Sequence, residues 1–193
     1  YDLSEPLIQA NVTWEIKTGI DTLSPYRVEL QSGEMTSGNH DSTFFSYIPE
    51  IIDGYWYGLT MAGVDRAGNQ SDVVIIDRAK YDFTYPIFYD LKPDVNQWIR
   101  KLDLAYTLSE DLIFGRIVFR HIGGEPDPDG EYLVRLEGSR LKAGPGGGEL
   151  PRSLVRLVSG GIYSITYTGR DSADNFVSEF IIPNVRFDNI KPF

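Results

Sequence analysis

The chain has 193 residues, of which 41% are apolar and 13% aromatic, with no Cys and a formal net charge of −10. This composition supports a packed core in one or two domains and excludes a disordered chain. Its acidity argues against nucleic acid and anionic membrane surfaces as partners, since both select clustered Lys and Arg, and the lack of Cys removes disulfides, thiolate metal sites and thiol nucleophiles together.

In chain order, Tyr1 opens the sequence without an initiator Met or a signal-like stretch, and it reads as a cut point. Breakers then follow at Gly19, Gly33, Gly38, Asp53-Gly54, Gly68-Asn69 and Pro86. Their spacing of about 8–12 residues is that of the short strands of an all-β sandwich. Ile87–Leu91 and Leu102–Leu108 are the next predicted strands, and residues 94–101 between them allow one short turn at most. EPDPDGE (Glu125–Glu131) reads as a solvated hairpin loop, and AGPGGGE (Ala143–Glu149) as a flexible one. Tyr163, Ile165 and Tyr167 alternate with Ser164, Thr166 and Thr168, the period-2 pattern of a half-buried strand. No apolar run reaches the roughly 20 residues of a membrane span, so membrane insertion is not expected.

The chain is similar to itself. A shift of 106 residues lays Asp53–Pro86 over Ser159–Pro192 with 11 of 34 pairs identical, among them Gly54/Gly160, Tyr57/Tyr163, Asp65/Asp171, Asn69/Asn175 and Asp82/Asp188. A shift of 105 lays Tyr1–Leu7 over Tyr106–Leu112 and Trp14 over Phe119. Such a period marks repeated modules, here 1–86 and 87–193, the first lacking its first strand and about half of its second. The expected fold class is therefore all-β, two tandem immunoglobulin-like antiparallel β-sandwich modules. An unfinished sheet exposes an edge, so residues 1–86 alone are expected to be unstable or to borrow a strand.

Asp53-Gly54-x-x-Tyr57 and Gly160-x-x-Tyr163 have the form of a tyrosine corner, in which a phenol bonds back to the preceding turn. Trp14 and Phe119 supply a large ring for each core. DRAGN (Asp65–Asn69) and DSADN (Asp171–Asn175) supply the tight turn of the last hairpin, with Gly68 and Asp174 in the left-handed position. The pattern DG-x-x-Y, D-x-A-G-N, YD-x-T-x-P resembles bacterial immunoglobulin-like repeats, with cadherin-like and fibronectin type III repeats close in appearance. The resemblance implies a segment of a longer array in an exported surface protein, extracellular or on the cell surface. It also implies that the sequons at Asn11 and Asn69 are coincidental.

For chemistry, Asp65, Asn69 and Asp82, with Asp171, Asn175 and Asp188, are oxygen ligands that either build turns or hold calcium, the one candidate cofactor. Glu5 and Glu110 join them if they lie at the same pole. EPDPDGE lacks the twelfth-position Glu of a calcium loop, since Leu136 stands there. His40 and His121 fall in different copies without an acid–His–Ser pattern, and AGPGGGE lacks the Lys-Ser or Lys-Thr of a phosphate loop. No catalytic, cofactor-binding or metal residue is assigned, and the chain is not expected to be an enzyme. Tyr55, Trp56, the cluster Phe44, Phe45 and Tyr47, and Trp98 in a predicted connection are candidate sugar-stacking or protein-binding rings if exposed, and packing residues if not. The expected function is that of a spacer or adhesion module whose partners are neighbouring repeats and a glycan or protein receptor. The alternatives are a binding module accessory to an enzyme and a calcium-stiffened adhesin repeat.

Overall fold

The computed structural model describes residues 1–40 and 49–191. Phe44, Phe45, Tyr47 and Pro192 lie outside the described residues. The described residues form an all-β fold whose strands pair almost entirely antiparallel. The chain divides into two compact units, Tyr1–Phe83 and Thr84–Phe193. Phe83 is held in the first by its N–H bond to Asp53, and Ile87 in the second by its N–H bond to Ser109.

Unit 1 contains β1 (Asp2–Leu3), β2 (Leu7–Thr18), β3 (Tyr26–Glu29), β4 (Gly38–Asn39), β5 (Trp56–Asp65) and β6 (Val74–Lys80). Its main sheet runs β3-β2-β5-β6, and β1 pairs only with β4. Antiparallel register places Trp14 opposite Leu59 and Leu59 opposite Ile76, so these three share one face. The buried cluster on that face is small: Ala10, Val12 and Leu30, with Leu7, Trp14, Leu59 and Met61 only partly covered.

Unit 2 contains β7 (Phe88–Lys92), β8 (Trp98–Ile99), β9 (Asp103–Leu108), β10 (Phe114–Gly124), β11 (Glu131–Arg135), β12 (Gly144–Glu149), β13 (Gly161–Arg170) and β14 (Phe180–Phe187). One sheet runs β11-β10-β13-β14-β8 and the other β12-β9-β7. The alternation read from the sequence is carried through β13, where Tyr163, Ile165 and Tyr167 are all fully buried. Ile165 and Tyr167 share a core cluster with Phe119, Ile117, Val185 and Ile182 from the same sheet and Phe88, Leu104, Tyr106 and Leu108 from the facing one. Phe88, Tyr106 and Tyr167 form a ring triad with centroids 5.3–6.0 Å apart, in tilted and edge-on contacts favoured by the ring quadrupole. Each such side chain contributes about 1.5–3 kcal/mol of transfer free energy, which suits a core built without disulfides.

Three expectations are corrected. AGPGGGE is not a flexible loop, because Gly144–Glu149 is β12 and pairs residue by residue with Leu108–Asp103 of β9. Glycine is required there by packing: Gly147 has φ +124°, and a Cβ on it would meet the Leu104 carbonyl oxygen, while one on Gly146 would enter the Tyr106 ring. Trp98 is not in a connection but in β8, which pairs parallel to β14 through Arg186 and Phe187. The two core rings are also unequal. Phe119 is fully buried, whereas Trp14 is half-buried against the edge of Tyr57, because the strands that roof Phe119 have no counterpart over Trp14 among the described residues of unit 1.

Candidate functional site

The polar residues that recur at the 106-residue spacing converge on two places in each unit. The first is the corner. Tyr57 opens β5 with its ring buried; its hydroxyl accepts the Ile52 N–H at 3.0 Å and donates to Asp21 Oδ2 at 2.8 Å. Tyr26 donates to the other Asp21 oxygen at 2.9 Å. In unit 2, Tyr163 accepts the Val158 N–H at 2.8 Å and donates to Asp127 Oδ2 at 2.7 Å, while Tyr132 donates to Asp127 at 3.1 Å. The expected bond back to the preceding turn is present, and the carboxylate that completes the corner comes from a different hairpin. Asp127 lies in EPDPDGE, so that loop is a clamp on the core and not merely a solvated connection.

The electrostatics follow from this geometry. Burial pushes the Asp21 carboxyl up, but donation from Tyr57, Tyr26 and the Leu23 and Ser24 N–H groups outweighs it and leaves the group below its ordinary value. Asp127 behaves alike, with Tyr163, Tyr132 and the Asp129 and Gly130 N–H groups as donors. Tyr26 and Tyr132 are pushed up to about 12, first by burial and then by their bonds to these carboxylates.

The second place is the hairpin turn. Asp65 accepts the Asn69 N–H and side-chain amide, both at 2.7 Å; Asp171 accepts the same pair at 2.9 Å, together with the Ala173 N–H at 2.8 Å. Gly68 and Asp174 occupy the left-handed region, with φ of 86° and 71°. The bonds from Asn69 hold the Asp65 carboxyl below its ordinary value. These are the contacts of a turn.

Asp82 and Asp188 do not join these turns within their own units. Each follows the second strand of the last hairpin, level with the start of the first strand, whereas Asp65 and Asp171 stand at that first strand's end. Asp82 pairs with Lys80, and Asp188 accepts from Ser159 at 2.8 Å and from the Ile190 N–H at 3.0 Å. Glu5 does share a pole with Asp65 and Asn69, the three lining a cleft of about 300 Å³. Glu110 and Asp171 place carboxylate oxygens within 4.8 Å of each other. Both units thus gather acidic oxygens at the turn pole, but the Asp65 and Asp171 oxygens are already engaged by donors.

The remaining candidates have local uses or are exposed. His40 Nε2 lies 2.8 Å from the Thr36 carbonyl and its ring stacks on Tyr1; His121 Nε2 lies 2.9 Å from the Glu125 carbonyl and its ring meets the edge of Tyr163. The Tyr55 ring packs over Gly19, and the Arg78 guanidinium sits 4.4 Å from the Trp56 ring. Trp98 is 61% exposed on edge strand β8, with Arg186 5.4 Å from its ring. A cleft of about 440 Å³ in unit 2 brings together Arg100, Lys101, Arg152 and Arg156 against one carboxylate, Glu149, over a floor of Leu102, Val155 and Phe187. Sequence reasoning missed this cationic cleft, because its basic residues come from two separated segments and the chain total is −10. Asp21 and Asp127 were also missed as partners, although they are in register at a shift of 106.

No family model matches the chain, and no curated protein matches it. Among solved structures, it is similar to the chicken CNTN1 FN1–FN3 domains, with 10% identity and a TM-score of 0.43 over 92% of this chain and 54% of that one. The chain spans about half the length of that structure.

Proposed function

We propose that the chain is a non-catalytic structural and interaction segment, two tandem immunoglobulin-like modules serving as a spacer in an exported surface protein. One observation carries this reading. The polar side chains that recur between the units are engaged in structural bonds: Asp21/Asp127 with Tyr57/Tyr163 fasten one hairpin to the corner, and Asp65/Asp171 with Asn69/Asn175 close the turn of the last hairpin. What the two units share is a set of mechanical fasteners.

A spacer must resist extension, and pulling on the chain by its ends tests this. Unit 2 is expected to rupture in one discrete event, releasing roughly 350 Å of contour for about 100 residues at up to 3.6 Å each. Gradual lengthening of unit 2 without a force peak would contradict the reading.

A second reading, a binding module for a glycan or protein receptor, is favoured by unit 2 alone. There Trp98 is exposed beside Arg186, and the Arg100–Arg156 cleft is cationic within an acidic chain. A glycan array probed with the parent chain and with Trp98→Ala tests it: binding lost in the variant supports the module, and a silent array removes the glycan form.

A further inference from the structure

Unit 2 gathers cations where strands of its two sheets end together. The ladder between β9 and β12 closes there with the Leu150 N–H bonded to the Leu102 carbonyl at 2.8 Å, and β14 and β8 close with the Asp188 N–H bonded to the Ile99 carbonyl at 2.9 Å. Arg100 and Lys101 lie in the crossing from β8 to β9, and Arg152 and Arg156 lie after β12. That second segment is tightened by the Leu154 N–H on the Pro151 carbonyl at 3.0 Å, and the Arg156 carbonyl stands 2.9 Å from the Tyr132 hydroxyl of the corner clamp. All four cations line the cleft of about 440 Å³, whose floor of Leu102, Val155 and Phe187 is at most 5% exposed. The floor belongs to the packed core, so the charges stand on a fixed base.

These charges are not neutralised from within. Glu149 is the one carboxylate among the cleft's lining residues, and it stands 3.1 Å from Lys101. Among the described residues no carboxylate pairs with Arg100, Arg152 or Arg156, although the chain has 28 acidic side chains to 18 basic ones. Like charges around one cavity repel, and a ligand that brings several negative oxygens relieves the repulsion while filling the planar forks with bidentate bonds. A nucleic-acid duplex would meet the net charge of −10 outside the cleft. Trp98 favours a saccharide over an acidic peptide. It is 61% exposed in β8, two residues before Arg100 and so about 7 Å away along an extended chain. An exposed indole beside a cationic cleft offers a face for a sugar ring and leaves the ring's anionic groups to the guanidiniums. We propose that the cleft binds a saccharide bearing sulfate or carboxylate groups, with Arg100, Arg152 and Arg156 as anion contacts and Trp98 as the stacking surface. The inference rests on the binding-module reading above and names the ligand class of that module.

The test titrates the full chain at physiological salt with dextran sulfate, polygalacturonate, uncharged dextran and polyglutamate. At least one of the two anionic polysaccharides is expected to bind saturably, and which one does identifies the preferred group; dextran is expected not to bind, and polyglutamate to bind more weakly. Arg152→Gln with Arg156→Gln, both at exposed positions, should weaken binding at least about tenfold, the effect of one lost charge-assisted bond. Arg27→Gln with Arg66→Gln, an equal loss of charge at exposed positions of unit 1, should leave it unchanged. Glu149→Gln removes the cleft's own carboxylate and should strengthen binding about threefold, a gain that misfolding does not produce. The proposal is overturned if neither anionic polysaccharide binds, if the unit 1 variant loses as much affinity as the cleft variant, or if polyglutamate binds as tightly as either polysaccharide, which makes an acidic peptide the occupant. Uncharged glycans bound on the array through Trp98, with neither anionic polysaccharide bound, remove the anionic site and leave the binding-module reading standing, so the two fail separately.

Discussion

The Tyr163 hydroxyl stands 2.7 Å from Asp127 Oδ2 while accepting the Val158 N–H at 2.8 Å, joining three segments of unit 2 through one buried oxygen. The phenol acts as donor and acceptor at once, and the ring beneath it is fully buried. Loss of the hydroxyl therefore leaves a carboxylate and an N–H short of a partner. Tyr163→Phe is expected to destabilise unit 2 by about 1–3 kcal/mol in urea denaturation, with little change in the m-value. A variant equal to the parent would show that water replaces the phenol without cost.

Acid should act through the same contact. A carboxyl held below its unfolded value contributes stability that is complete above about pH 4 and is lost as pH falls through the lower folded value. Asp21 and Asp127 both stand in that position. Asp127→Asn is expected to melt below the parent at pH 7, with the gap narrowing towards pH 3. A gap that stays constant with pH removes the carboxylate charge from the account.

At the alkaline end the sign reverses. Tyr26 and Tyr132 are pushed up to about 12, so their neutral forms contribute stability that is full below about pH 10 and lost as pH rises towards the folded values. Phenolate absorbance should show these two rings titrating well above the ordinary tyrosine range, or in step with unfolding. Their titration near the ordinary tyrosine value in a folded chain would contradict the clamp.

The turn aspartates make a prediction about metal. Asp171 is 2% exposed and accepts three bonds from Ala173 and Asn175. Asp171→Ala should lower the stability of unit 2 by about 1–3 kcal/mol, and by the same amount in millimolar calcium as in chelator. A loss seen only with calcium present would identify the residue as a ligand instead.

Gly147 tests the correction made to the glycine-rich segment. With φ at +124° and the Leu104 carbonyl in the way of any Cβ, Gly147→Ala is expected to cost at least about 1–3 kcal/mol and to release β12 from β9. Faster amide exchange confined to Leu104–Leu108 and Gly144–Glu149 would mark the local opening. A neutral substitution would return the segment to the loop the sequence suggested.

What was legible in the sequence was whatever local pattern determines. Alternation at Tyr163, Ile165 and Tyr167 fixes which face of a strand is buried, and Asp65 with Asn69 closes a turn within five residues, so both are readable from near neighbours. The self-similarity at 106 residues belongs here too, because it needs only the order of residues. Three things waited on the fold. Asp127 meets Tyr163 across 36 residues, and in sequence its loop looks merely acidic. Gly144–Glu149 is a strand only because β9 offers it a ladder that glycines can approach closely. The exposure of Ile76 against the burial of Ile182 depends on strands that pair from elsewhere in the chain. Periodicity and turn chemistry act over a few residues, whereas pairing, clamping and burial join groups that the chain separates by tens of residues, and only tertiary packing decides which of them meet.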